Sequence, residues 1–147
     1  VVTAVVAGCA FAAPARGCSC PPPLPPGEEA RLADVVATVT VERIREDPLL
    51  RFANWLRSLF ARDGLYLPTV GVEARVEERL KGRPPSRIRL VTSLEESSCG
   101  YPFREGRQYL VYSYRTEDGE LSADRCSRTK PLEEAEAEVE ELRALLR

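Results

Sequence analysis

Alternation of apolar and polar residues dominates the middle of the chain. After Asp34, the residues Val35, Ala37, Val39 and Val41 fall on one face, with Thr38, Thr40 and Glu42 on the other. That period of two is the signature of a half-buried strand. It returns in "VGVEARVEERL", where Val70, Val72, Ala74 and Val76 oppose Glu73, Arg75 and Glu77. "LKGRPPS", Leu80 to Ser86, reads as a turn, and "RIRLVT", Arg87 to Thr92, as a third strand with Ile88 and Leu90 inward. "QYLVYSYR", Gln108 to Arg115, predicts a fourth, and Glu117 to Gly119 turn into a short fifth ending near Cys126.

Two segments carry helical periodicity instead. Asp47 can cap a helix with Pro48 in its first turn, and Asp63-Gly64 can stop it. Leu49, Phe52, Leu56 and Leu59 form one stripe there, with Trp55 and Phe60 alongside. The stripe is expected to pack on the parent sheet; the alternative is a partner- or membrane-facing surface. A last helix is predicted from Pro131 to about Leu146, with Leu132, Ala135, Val139, Leu142 and Leu146 on one seam. Glu133, Glu134 and Glu136 lie early and Arg143 and Arg147 late, which suits the helix dipole, so the acidic run reads as a solvated face. "CPPPLPPG", Cys20 to Gly27, is predicted extended and stiff, because proline fixes φ and lacks a donor. The whole predicts a mainly β fold. It is a five-stranded Greek-key barrel of the OB type, with a helix inserted between the first two strands and another at the C-terminus.

The amino-terminal stretch changes the setting of that barrel. "VVTAVVAGCAFAA", Val1 to Ala13, is apolar but too short to span a bilayer, and small residues follow it. It reads as the later part of an export signal, giving a signal segment at 1–17 and a domain at 18–147. Three processing points compete: lipidation of Cys9 in "VAGC", cleavage after Ala15 in "APA", and cleavage after Gly17, which makes Cys18 the first residue. The expected location is therefore secreted or cell-envelope, membrane-attached only if Cys9 is lipidated. Charge adds little: 21 Lys+Arg against 23 Asp+Glu suggest no nucleic-acid partner. Tyr109, Tyr112 and Tyr114 are accordingly expected in core and cross-strand packing rather than base stacking. Without histidine there is no Ser–His–Asp arrangement, and no glycine-rich phosphate loop occurs. No enzyme activity, cofactor or oligomer is expected.

In an exported domain the remaining cysteines, Cys18, Cys20, Cys99 and Cys126, read as disulfides. A Cys18–Cys20 bond would close a very tight ring, which leaves two crossed pairings open. Each closes a loop of roughly 80 to 110 residues, worth about 4–5 kcal/mol in the chain-entropy model. The rival is a four-thiolate zinc site. Cys99 and Cys126 lack the near neighbour that structural zinc pairs usually have, so disulfides are preferred.

Four landmarks follow one another: "CSC" at Cys18 to Cys20, "LKG" at Leu80 to Gly82, "SCGYPF" at Ser98 to Phe103 and "RCSRTKPL" at Arg125 to Leu132. In that order they resemble the N-terminal domain of the tissue inhibitors of metalloproteinases, a netrin-like OB barrel, and especially its compact bacterial relatives. The resemblance covers nearly everything after Gly17. It implies pairing of Cys18 with Cys99 and of Cys20 with Cys126. It also implies a zinc metalloproteinase as partner, with the amine and carbonyl of Cys18 binding that enzyme's zinc in trans. Ser19 would meet the specificity pocket, Ser97 and Ser98 would form the neighbouring ridge, and Pro21 to Pro23 would continue along the cleft. This sequence lacks the cysteines for the animal inhibitors' third disulfide, and the insertion containing Trp55 has no matched counterpart. The alternative reading is a non-inhibitory exported or lipid-anchored module that binds a protein.

Overall fold

A computed structural model describes residues 18–46, 52, 56, 69–94 and 99–146. Its strands are β1 (Val35–Arg45), β2 (Thr69–Lys81), β3 (Arg87–Ser93), β4 (Gln108–Arg115), β5 (Leu121–Ser122) and β6 (Lys130–Pro131). β1 pairs antiparallel with β2 on one side and with β4 on the other. β2 continues to β3, β3 runs parallel to β5, and β5 returns to β4. The order β1-β2-β3-β5-β4 thus closes on itself as a five-stranded, OB-like barrel, with β6 laid outside on β4. Closure needs long strands that curl. β1 and β2 shift register at Val36/Ala37, Thr38/Val39 and Val41/Arg43, and such irregularities increase local twist.

The alternation read in the sequence points inward as expected. Val35, Ala37, Val39 and Val41 of β1, Val70, Val72 and Ala74 of β2, and Ile88 and Leu90 of β3 share one buried cluster inside the barrel. Val76 packs at its margin. Tyr109 closes one end, edge-on to Phe103 at 5.1 Å and to Tyr101 at 5.8 Å between centroids. At the β2–β3 turn Gly82 has φ 79°, and a Cβ there would come 2.8 Å from the Asp34 carbonyl. "LKG" therefore ends in glycine because the turn is left-handed and pressed against the start of β1.

A second core lies outside the sheet, between it and two helices, α1 (Pro26–Leu32) and α2 (Glu136–Leu145). Val36, Leu110 and Tyr112 face outward into it and meet Ala30, Ala33, Ala135, Val139 and Leu142. This explains why the first half of β1 is buried on both faces. Tyr112 and Tyr114 belong to this second core and Tyr109 to the first, as packing residues.

Several boundaries differ from the sequence reading. The proline strip ends at Pro25, which is extended at φ −53° and ψ 151°; Pro26 opens α1, with Glu28 and Glu29 in its first turn. Proline suits a helix's first position, and seven residues hold a helix here because Ala30 is buried against the second core. The C-terminal helix is divided. Leu132–Glu134 is a 3-10 turn, Ala135 departs from helical geometry at φ −114° and ψ 0°, and α2 then follows. The fifth strand stops at Ser122, well before Cys126. Of the inserted helix, Phe52 and Leu56 are helical and exposed, at 60% and 43%, rather than buried on the sheet. Its remaining predicted residues, Trp55 included, lie outside the described residues, as do the signal segment 1–17 and Cys9. Among the described residues no helix is long and apolar enough to cross a membrane.

Candidate functional site

The four cysteines meet at one rim of the barrel. Cys99 stands at the entry to the short bridge Gly100–Asp124, and Cys126 in the turn that follows Asp124. That turn is organised by Asp124, whose Oδ1 accepts the backbone N–H of Cys126 at 2.8 Å and of Ser127 at 2.7 Å. The Ser127 hydroxyl donates back to the Asp124 carbonyl at 2.7 Å. Cys99 is held with φ 63°, a left-handed backbone unusual for a residue with a side chain. Its carbonyl accepts the Arg125 N–H at 2.9 Å, tying the two cysteine segments together. Gly100 next to it is pressed so closely onto the Ser93 carbonyl that a Cβ could not be accommodated.

Onto this rim the segment Cys18–Cys20 is bonded twice. Cys18 pairs with Cys99 and Cys20 with Cys126, with Cα–Cα distances of 4.9 and 5.1 Å, inside the range that disulfides require. This is one of the two pairings left open by cysteine spacing, and the one that the resemblance implies. Cys18 is half-buried, whereas Ser19, Cys20 and residues 21–25 are exposed and lie outside any helix or strand. Pro21 to Pro23 thus run along the surface as a stiff strip, while Ser97 and Ser98 lie outside the described residues.

The far end of the strip is fastened by a group that sequence reasoning missed. Arg128 Nη1 donates to the Leu24 carbonyl at 2.8 Å. The same guanidinium donates to Glu138 through Nε at 2.9 Å and Nη2 at 2.7 Å. Lys130 Nζ reaches Glu138 at 2.6 Å and the Tyr112 hydroxyl donates to it at 2.7 Å. Burial alone would raise the Glu138 pKa, but the donors Arg128, Lys130 and Tyr112 outweigh it and hold the carboxyl at about 2. The Tyr112 hydroxyl is pushed up by burial and by its bond to that carboxylate. Tyr114 fixes α1 in a similar way, donating to Glu29, and its own ionisation is pushed up by burial. A signal for Glu138 did exist. It lies three residues after Ala135 and four before Leu142, on the apolar seam rather than on the solvated face.

The arrangement is thus an exposed backbone ridge, fixed at Cys18 and Cys20 by covalent bonds and at Leu24 by a charged hydrogen bond. Because its prolines lack N–H groups, such a ridge offers mainly main-chain carbonyl acceptors in a set geometry, which suits docking into a cleft. No protein-family model matches this chain, and no match to it is found among curated proteins.

Proposed function

We propose that this chain is exported and, processed after Gly17, inhibits zinc metalloendopeptidases through its amino-terminal cysteine. The observation that supports this reading is the double disulfide clamp on an exposed, proline-stiffened strip. A catalytic zinc keeps three protein ligands and one open position. The free α-amine and the carbonyl oxygen of Cys18 would fill that position as a five-membered chelate and displace the attacking water. Ser19 would enter the specificity pocket beside the zinc, with Ser97 and Ser98 flanking it and Pro21 to Pro23 following the cleft. Because the strip is already ordered, little conformational freedom remains to be lost on binding.

The test compares protein beginning at Cys18 with the same protein acetylated there or carrying one additional residue ahead of it. Inhibition constants are measured against a panel of zinc endopeptidases. Both modifications are expected to abolish inhibition, because each turns the Cys18 amine into an amide that cannot ligate zinc. Potency of the unmodified protein is expected to weaken below about pH 7, since an α-amine with a pKa near 8 becomes protonated and cannot ligate zinc. Equal potency in all three forms would reject the mechanism. A mature protein whose mass begins at a lipidated Cys9 would point instead to a membrane-anchored binding module.

A further inference from the structure

The four cysteine sulfurs that make the two disulfides do not stand apart as two separate staples. All four lie within 4.8 Å of one another. Across the two bonds, Cys18 Sγ is 3.6 Å from Cys20 Sγ and 3.7 Å from Cys126 Sγ. A tetrahedral zinc with bonds of about 2.3 Å spaces its sulfurs about 3.8 Å apart. These two distances between the disulfides therefore already match edges of such a tetrahedron. To complete it, the two bonded pairs must separate by under ~2 Å each, and the remaining sulfur pairs, none wider than 4.8 Å, need close by no more than ~1 Å.

From this convergence we infer a redox-dependent zinc site, with Cys18, Cys20, Cys99 and Cys126 as a four-thiolate ligand set in the reduced protein. Sequence spacing argues against zinc because Cys99 and Cys126 have no neighbouring cysteine, but the fold supplies the neighbours. The Gly100–Asp124 bridge and the Arg125 N–H to Cys99 carbonyl bond hold the two distant segments side by side without help from the disulfides. Arg125 Nε also donates to the Gly100 carbonyl at 3.1 Å, which puts a cation at the flank of a site carrying two net negative charges. The nearby Asp124 carboxylate is already engaged by the Cys126 and Ser127 N–H groups. Soft thiolates select zinc-like ions over magnesium or calcium.

The interconversion balances. Two equivalents of a dithiol donate four electrons, break the Cys18–Cys99 and Cys20–Cys126 bonds, and become two disulfides. As zinc binds, the four protein thiols release four protons to solvent. Two equivalents of a disulfide oxidant reverse the process, re-forming both bonds and expelling the ion. The inference does not rest on the inhibitor reading, since it uses the four sulfurs and not the free amine.

The experiment uses the full chain carrying Cys9→Ser, reduced under anaerobic conditions and titrated with cobalt(II) alone. Expected is the visible absorption of tetrahedral cobalt with intense thiolate charge transfer, saturating at one ion per chain. One equivalent of zinc should displace it and protect all four thiols from alkylation. Adding a disulfide oxidant should release the zinc to a colorimetric chelator. Replacing any one of the four cysteines by serine should weaken cobalt binding by at least ~100-fold, beyond what loss of an outer-shell partner does. If reduction unfolds the chain, strand circular dichroism should return on adding zinc, as in domains whose folding is coupled to metal binding. A reduced wild-type chain that shows no tetrahedral cobalt spectrum, or whose zinc protects only two thiols, overturns the inference. So does equal binding by the oxidised protein.

Discussion

Residues 19–25 lie exposed along the barrel rim and are joined to it by the two disulfides and by Arg128. The outer face of β4 is instead covered by α2, whose Glu138 carboxylate sits among Arg128, Lys130 and Tyr112. A covalent clamp acts without burial, so the strip can be fixed and still present its backbone to a partner. An ionic cluster repays the loss of water around its charges only when every group is hydrogen-bonded, so it has to sit within a packed face. Among the described residues no buried side-chain nitrogen or oxygen lacks a partner. The first device answers to redox conditions and the second to pH. Arg128 touches both, which makes it the mechanical link between the presented strip and the helix side of the fold.

The comparison breaks most forcefully at the covalent end. Replacing Cys20 and Cys126 together by serine opens a loop of sequence separation 106 and is expected to lower stability by about 4 kcal/mol. Urea unfolding should show that loss equally at neutral and mildly acidic pH; a loss that varied strongly with pH would mean the clamp and the ionic cluster are not independent. The next effect belongs to Glu138→Gln. The folded carboxyl sits near 2 against an ordinary glutamate value of 4.5. Its contribution is therefore complete above about pH 5 and disappears as pH falls towards 2. The difference corresponds to about 3 kcal/mol at neutral pH. Wild type and variant should thus converge in stability on acidification, and curves that stayed parallel to pH 2 would remove the carboxylate from its assigned part. Smallest is Tyr114→Phe, which frees Glu29 and α1 from one hydrogen bond and is expected to cost about 1 kcal/mol. Hydrogen exchange should locate that loosening in α1, with the barrel amides unchanged.

The barrel strands were legible because a strand with one face inward writes its burial at a period of two. Val70, Val72 and Ala74, and Ile88 and Leu90, are cases in which that pattern alone chose the buried face. The helix side was harder to read. α1 begins in a proline-rich run whose local preference is extended, and Ala30 and Ala33 are too small to advertise a core contact. Glu138 was missed because the acidic segment reads as one solvated face; its place on the apolar seam marks it as buried, but only the fold reveals its donors, which come from β4 and the β6 region. At the rim, spacing excluded one cysteine pairing, and only the resemblance to metalloproteinase inhibitors favoured the pairing now seen.

Sequence alone determined a mainly β chain, its strand faces, and the presence of two stiffly spaced cysteines ahead of a proline run, all of which follow from local stereochemistry and periodic hydrophobicity. The tertiary structure decided which cysteines join, that all four sulfurs converge, and that Arg128 ties the strip to Glu138. Those contacts link residues 81, 106 and 104 positions apart. No local pattern encodes such pairs; they form because closing β1 onto both β2 and β4 brings the segments at the barrel rim into reach.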